Sequence, residues 1–107
     1  MDQDYLRDLF AGIGPISLRR MFGGYGIYQD GTIFAVVLRD QLLLKGDAEV
    51  ADEYEAAGMV RWQYVGKRHG KPVAMPYWTA PESALDDPDE MTDLARKALS
   101  AARRSAS

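Results

Sequence analysis

The chain has 107 residues, 47% of them hydrophobic, with 16 acidic against 13 basic side chains for a formal net charge of −3, and it has no cysteine. That length and apolar share suit one domain folding around its own core. The missing cysteine excludes disulfides, thiolate catalysis and zinc–cysteine sites, and the acidic balance argues against a uniformly basic nucleic-acid footprint.

The start, MDQDYLRDLF, has no basic segment and no long apolar run. No signal peptide is expected, and a reducing cytoplasm fits the cysteine-free composition. The longest unbroken apolar run, IFAVVL, falls far short of the roughly 20 residues that a membrane helix needs, so no membrane partner is expected. Tyr5, Leu6, Leu9, Phe10 and Ile13 recur at helical spacing, which predicts a helix from about Asp2 to Ala11. Gly12, Gly14 and Pro15 stop it. SLRRMFG and YGIYQ read as two strands around a glycine bend, and Asp30-Gly31 is a hairpin signal. TIFAVVLR follows, then a polar break at Arg39-Asp40, then QLLLK. Strands joined this tightly must be antiparallel, and their continuous apolar runs imply cover on more than one side or a nearby interface.

GDAEVADEYEAAG reads as a helix with Asp47 as N-cap and Gly58 just past its end. VRWQYVG and KPVAMPYW read as a hairpin joined by the basic loop GKRHG; Pro72 and Pro76 predict that its second strand is an edge. A short helical turn and a longer helix close the chain, the latter with Asp87 as N-cap, Pro88 at the first position and an apolar stripe of Met91, Leu94, Ala95, Ala98, Leu99 and Ala102. The fold class is therefore α+β. It is a two-layer domain over residues 1–107, with an antiparallel β-sheet of five to six strands flanked by helices, in the order α, β-meander, α, β-hairpin, α.

The stretch RRMFGGYGIY raises the question of a phosphate loop. A dinucleotide fingerprint starting at Gly24 and Gly26 would need a third glycine where Gln29 stands, and no helix follows. The glycines therefore read as a bend between strands, using positive φ near Gly24, with Phe22 buried. Two basic clusters, Arg19 and Arg20, then Lys67, Arg68, His69 and Lys71, form one patch if the hairpin folds back on the first strand. Trp62, Tyr64, Tyr77 and Trp78 lie near the second cluster, and aromatics among cations suit single-stranded nucleic acid. Core packing is the plainer account of those rings, and the net charge disfavours nucleic acid.

His69 has no orienting partner in sequence, so pairing it with Ser17, Ser83, Ser100, Ser105 or Ser107 for nucleophilic catalysis is not expected. Asp86, Asp87, Asp89 and Glu90 are explained by helix capping more simply than by a cation. No catalytic residue, metal or cofactor is expected. A small-ligand site at the glycine bend with Tyr25, Tyr77 or Trp78 is the least favoured reading.

The run Met21-Phe22-Gly23-Gly24-x-Gly26, the strand pair ending at Leu44-Lys45, and the hairpin ending Tyr77-Trp78-x-x-Pro81 resemble the N-terminal domain of TfoX-like proteins, the competence regulators also called Sxy. The resemblance runs from about Leu18 to the last helix. It implies a cytoplasmic bacterial protein linked to transcriptional control of DNA uptake, an antiparallel sheet flanked by helices, and no catalytic site. Full-length competence regulators also carry a helical C-terminal domain, which is not expected here. Together these readings point to a non-enzymatic regulatory module that binds a protein partner, with a symmetric homodimer as the default. Nucleic-acid binding through Arg19, Arg20, Lys67, Arg68 and Lys71 is the alternative.

Overall fold

The computed structural model describes residues 1–21, 23–66 and 70–106. The first helix, α1 (Gln3–Leu9), starts where the Asp2 carboxylate accepts from the Tyr5 amide at 2.7 Å, and a 3-10 turn over Ala11–Ile13 follows it. The sequence extends this helix to Ala11; it ends earlier because the chain tightens into that turn ahead of Gly14.

Four strands then run back and forth: β1 (Ser17–Met21), β2 (Gly24–Gln29), β3 (Thr32–Leu38) and β4 (Gln41–Lys45). Asp30 has φ 49° and Gly31 φ 81°, the left-handed pair that a tight hairpin turn requires. Arg39 and Asp40, at φ 50° and 61°, make the same kind of turn without a glycine. Helix α2 (Ala48–Ala56) is capped by Asp47, whose carboxylate accepts from the Glu49 amide. Gly58, at φ 85°, ends it: the Gly58 amide donates to Glu55 and the Met59 amide to Tyr54, the paired closing bonds of a glycine-terminated helix.

Strands β5 (Arg61–Val65) and β6 (Pro72–Thr79) complete one six-stranded antiparallel sheet in the order β1-β2-β3-β4-β6-β5. The expectation that β6 is an edge is wrong: it lies between β4 and β5, and β5 is the edge. Its prolines are accommodated because Pro72 opens the strand and Pro76 sits in an irregular stretch, where one residue of β5 faces three of β6. Carbonyls there find other donors, the Arg61 guanidinium at Met75 and the Gly46 amide at Pro76. Helices α3 (Glu82–Leu85) and α4 (Pro88–Ala106) follow. The Asp87 carboxylate accepts from the Asp89 and Glu90 amides, and the whole sequence-assigned stripe of α4 is buried.

All four helices contribute to one hydrophobic cluster, together with Ile27, Phe34, Ala35, Val37, Leu42, Leu44 and Trp78 from the sheet. Phe10 meets Phe34 edge-on at 5.3 Å, and Tyr54 meets Trp78 at 5.7 Å. The polar ends of the aromatics are satisfied: Tyr5 donates to the Leu85 carbonyl, Tyr54 to the Lys45 carbonyl, and the Trp78 indole to Glu55. The alternating residues point to the other side. There Val36, Leu43 and Tyr77 form a second, smaller cluster ringed by Met21, Ile33, Leu38 and Trp62. No described helix residue joins it. The helices thus cover one face and leave the opposite face of the sheet without a second layer.

Candidate binding surface

The glycine bend joins β1 to β2. Gly23 holds the positive φ, 78°; Gly24 does not, which corrects the expected position. Gly24 answers a different need. A Cβ there would lie 1.7 Å from the Val37 carbonyl oxygen, so β3 approaches closely only because that side chain is missing. At Gly26 a Cβ would press on the ends of Met21, Tyr28 and Ile33, which roof this glycine on the helix-free face. Phe22 lies outside the described residues. Beside the bend is an open depression of about 450 Å³ lined by Arg20, Met21, Gly23, Gly24 and Tyr25. Arg20 is its sole charged lining residue among those described, so it lacks the converging polar groups of a ligand site.

Among the described residues the two basic clusters are not brought together. Arg19 and Arg20 lie on β1, one edge of the sheet; Lys71 precedes β6, next to the opposite edge. Lys67, Arg68 and His69 lie outside the described residues. Among the described residues no group of three or more His, Asp or Glu side chains is placed to hold a metal ion. Trp78 is in the helix-side core with Arg61 over its ring at 4.7 Å, and Pro81 opens α3.

Register brings together a set of side chains that their sequence positions keep apart. Tyr28 pairs with Ile33, and Lys45 pairs with Tyr77. Arg19 lies over the Tyr28 ring at 5.1 Å, and Lys45 over the Tyr77 ring at 5.1 Å. Trp62 tilts against Tyr77 at 6.4 Å. These residues make one row across the helix-free face: Arg19, Tyr28, Lys45, Tyr77, Trp62. Burial pushes the Tyr77 hydroxyl above its usual pKa, with nearby Tyr28 adding to the shift, and burial lowers the Lys45 ammonium. Tyr28 and Lys45 escaped the sequence reading. The one signal for them was period-two alternation, which does not say which face a helix will cover.

None of the 16 Asp and Glu side chains lies in a strand. The strands carry Arg19, Arg20, Lys45 and Arg61 and no opposing charge. The acidic side chains sit in the helices, their caps and the turns. The small negative net charge therefore averages a cationic sheet with an acidic helical layer.

The β5–β6 hairpin has a different surface. Val60, Tyr64, Val65 and Val73 are 55–64% exposed, the large hydrophobic side chains most open to water among those described.

The pattern for the TfoX N-terminal domain matches residues 8–102. The chain belongs to the TfoX N-terminal domain family. Over 55 residues it is 33% identical to a DNA transformation protein, TfoX1, of Aliivibrio fischeri (strain ATCC 700601 / ES114). That match covers 51% of this chain and 26% of the relative, so the similarity spans about a quarter of the transformation protein's length. As a TfoX N-terminal domain, the chain has the antiparallel sheet and flanking helices that the sequence implied. No helix among the described residues is long and apolar enough to cross a membrane.

Proposed function

We propose that this TfoX N-terminal domain is a regulatory module in the control of DNA transformation, acting in the cytoplasm by binding and not by catalysis. Its protein contact is the β5 edge and the hairpin that carries it. The observation behind this reading is the grouping of Val60, Tyr64, Val65 and Val73 on one hairpin at an unpaired sheet edge. Exposed apolar side chains gathered in one place mark association surfaces, and an open edge offers backbone hydrogen bonds to an incoming strand. The β1 edge, with Arg19 and Arg20, is guarded against such pairing by charge. The relative's role in DNA transformation supports the choice of process.

Light scattering on the purified chain, and retention of proteins from native cell extract, test the contact. The wild-type chain is expected to self-associate or to retain a partner, while Val65→Asp/Val73→Asp stays folded and loses it. A wild-type chain that remains monomeric and retains nothing beyond the double variant overturns the reading. Deleting the gene in a transformable host is expected to change transformation frequency; an unchanged frequency removes the assigned process.

A further inference from the structure

We propose that the helix-free face of the sheet is a track for single-stranded nucleic acid, in which Tyr28 and Trp62 stack on bases while Arg19 and Lys45 hold phosphates. This goes beyond the protein contact at the hairpin and uses different residues.

Three observations converge. The first is order. Two cation–ring pairs lie along one row that crosses the strands, Arg19 over Tyr28 at one side and Lys45 over Tyr77 beyond Ile33 of β3, with Trp62 against Tyr77 at the far edge. Six strands at the usual spacing make this row about 24 Å long, room for a short run of nucleotides. The second is access. No described helix residue covers this face, and Tyr28 and Trp62 are each partly open to solvent while Tyr77 is buried behind them as a brace. Sheets that bind single strands use this arrangement, with aromatic rings on the open face and cations beside them. The third is charge. A net charge of −3 counts against nucleic acid only if the acidic groups share the binding face, and no strand carries one. The acidic residues closest to the row along the chain are two residues from Tyr28 and from Lys45: Asp30, and Asp47, which caps α2 and is paired with Arg104. Asp40 pairs with the N-terminal ammonium, and Asp30 stands in the β2–β3 turn.

A single strand fits this row better than a duplex, whose bases are stacked on each other and out of reach of Tyr28 and Trp62. It also fits better than a protein, which would need carboxylates of its own at the spacing of Arg19 and Lys45. A nucleic-acid strand brings one phosphate with every base.

The test is fluorescence titration with labelled oligo(dT) and oligo(rU) of about twelve nucleotides, and with a duplex of equal length, from about 20 mM to about 200 mM salt. Trp62 serves as an internal probe, since the other tryptophan, Trp78, is buried on the opposite side. Single strands are expected to bind and quench Trp62, with either sugar, and more tightly than the duplex. Tyr28→Ala and Trp62→Ala are each expected to weaken binding about tenfold or more. Arg19→Gln/Lys45→Gln, which removes charge but little packing, is expected to lessen the slope of log affinity against log salt by about 1.4. Circular dichroism of each variant separates lost binding from lost fold.

No binding at the lowest salt overturns the proposal. So does binding in which duplex and single strand are equal and both aromatic variants behave as wild type, since that is charge alone. A protein captured from extract and lost in Arg19→Gln/Lys45→Gln, without oligonucleotide binding, assigns the face to a protein and also overturns it. Failure on any of these grounds leaves the hairpin contact standing, because Val65 and Val73 lie outside the row.

Discussion

The two faces of this sheet are built from the same strands and differ in what they bury. Leu44 and Leu43 are neighbours in β4, 0% and 4% exposed, yet Leu44 lies under the helices and Leu43 lies in the smaller cluster with Val36 and Tyr77. The helix side is a layered core, in which side chains from two layers interdigitate. The opposite side buries its residues only beneath their neighbours in the same sheet, with long side chains such as Arg19, Lys45 and Tyr28 laid over the rest. A face finished in that way is dry enough to hold its shape and open enough to receive a ligand.

Truncations on the two sides test this contrast most directly. Trp78→Ala removes a ring packed by Tyr54, Arg61 and the backbone at Gly46, and is expected to cost about 3–5 kcal/mol in chemical denaturation. Leu44→Ala is expected near the upper end of the usual range of about 2–5 kcal/mol, and Leu43→Ala near the lower end, because solvent and flexible neighbours can fill the gap left on the open face. Equal costs would mean that the helix-free side is as tightly packed as the core. Gly24→Ala drives a methyl group into the Val37 carbonyl and is expected to cost at least about 2 kcal/mol by the same measurement. Wild-type stability in that variant would show that β2 and β3 separate easily. Asp87→Ala removes the cap from α4, the helix that lies under β3 and β4, with an expected loss of about 1 kcal/mol.

The smallest effect concerns the acidic layer. A hydrogen bond from Arg104, aided by its charge, holds the Asp47 carboxyl below its ordinary value of 3.8. The folded chain therefore binds this proton less readily than the unfolded chain. The resulting stability is complete above the unfolded value and is lost as pH falls through the folded one. Asp47→Asn keeps an oxygen to cap α2 but has no such titration. Thermal unfolding followed from neutral to acid pH is expected to show a shallower fall below about pH 4 in the variant. Parallel curves would remove this pair from acid stability.

Much of the architecture was legible because local rules and tertiary packing agree. Asp47 and Asp87 cap the helices that their positions announced, and the stripe from Met91 to Ala102 is buried as a unit. The Asp30-Gly31 turn is where its residue types place it. The misreading of β6 came from treating proline as an edge marker. An irregular stretch in the ladder serves equally well, and no local signal reveals it. Among candidate site residues, Arg19 and the aromatics at positions 62 and 77 were visible, but Trp78 was grouped with them although alternation sends it to the other face. Tyr28 and Lys45 were missed because each becomes notable only beside a partner on another strand.

By itself, the sequence determined what depends on neighbours along the chain: the helices with their caps, the tight turns, an antiparallel meander, and the family signature around the glycines. The tertiary structure alone decided the strand order, which face the helices cover, and the gathering of Arg19, Tyr28, Lys45, Tyr77 and Trp62 on the opposite face. Those properties arise from contacts between residues far apart in the chain, and composition averages them away.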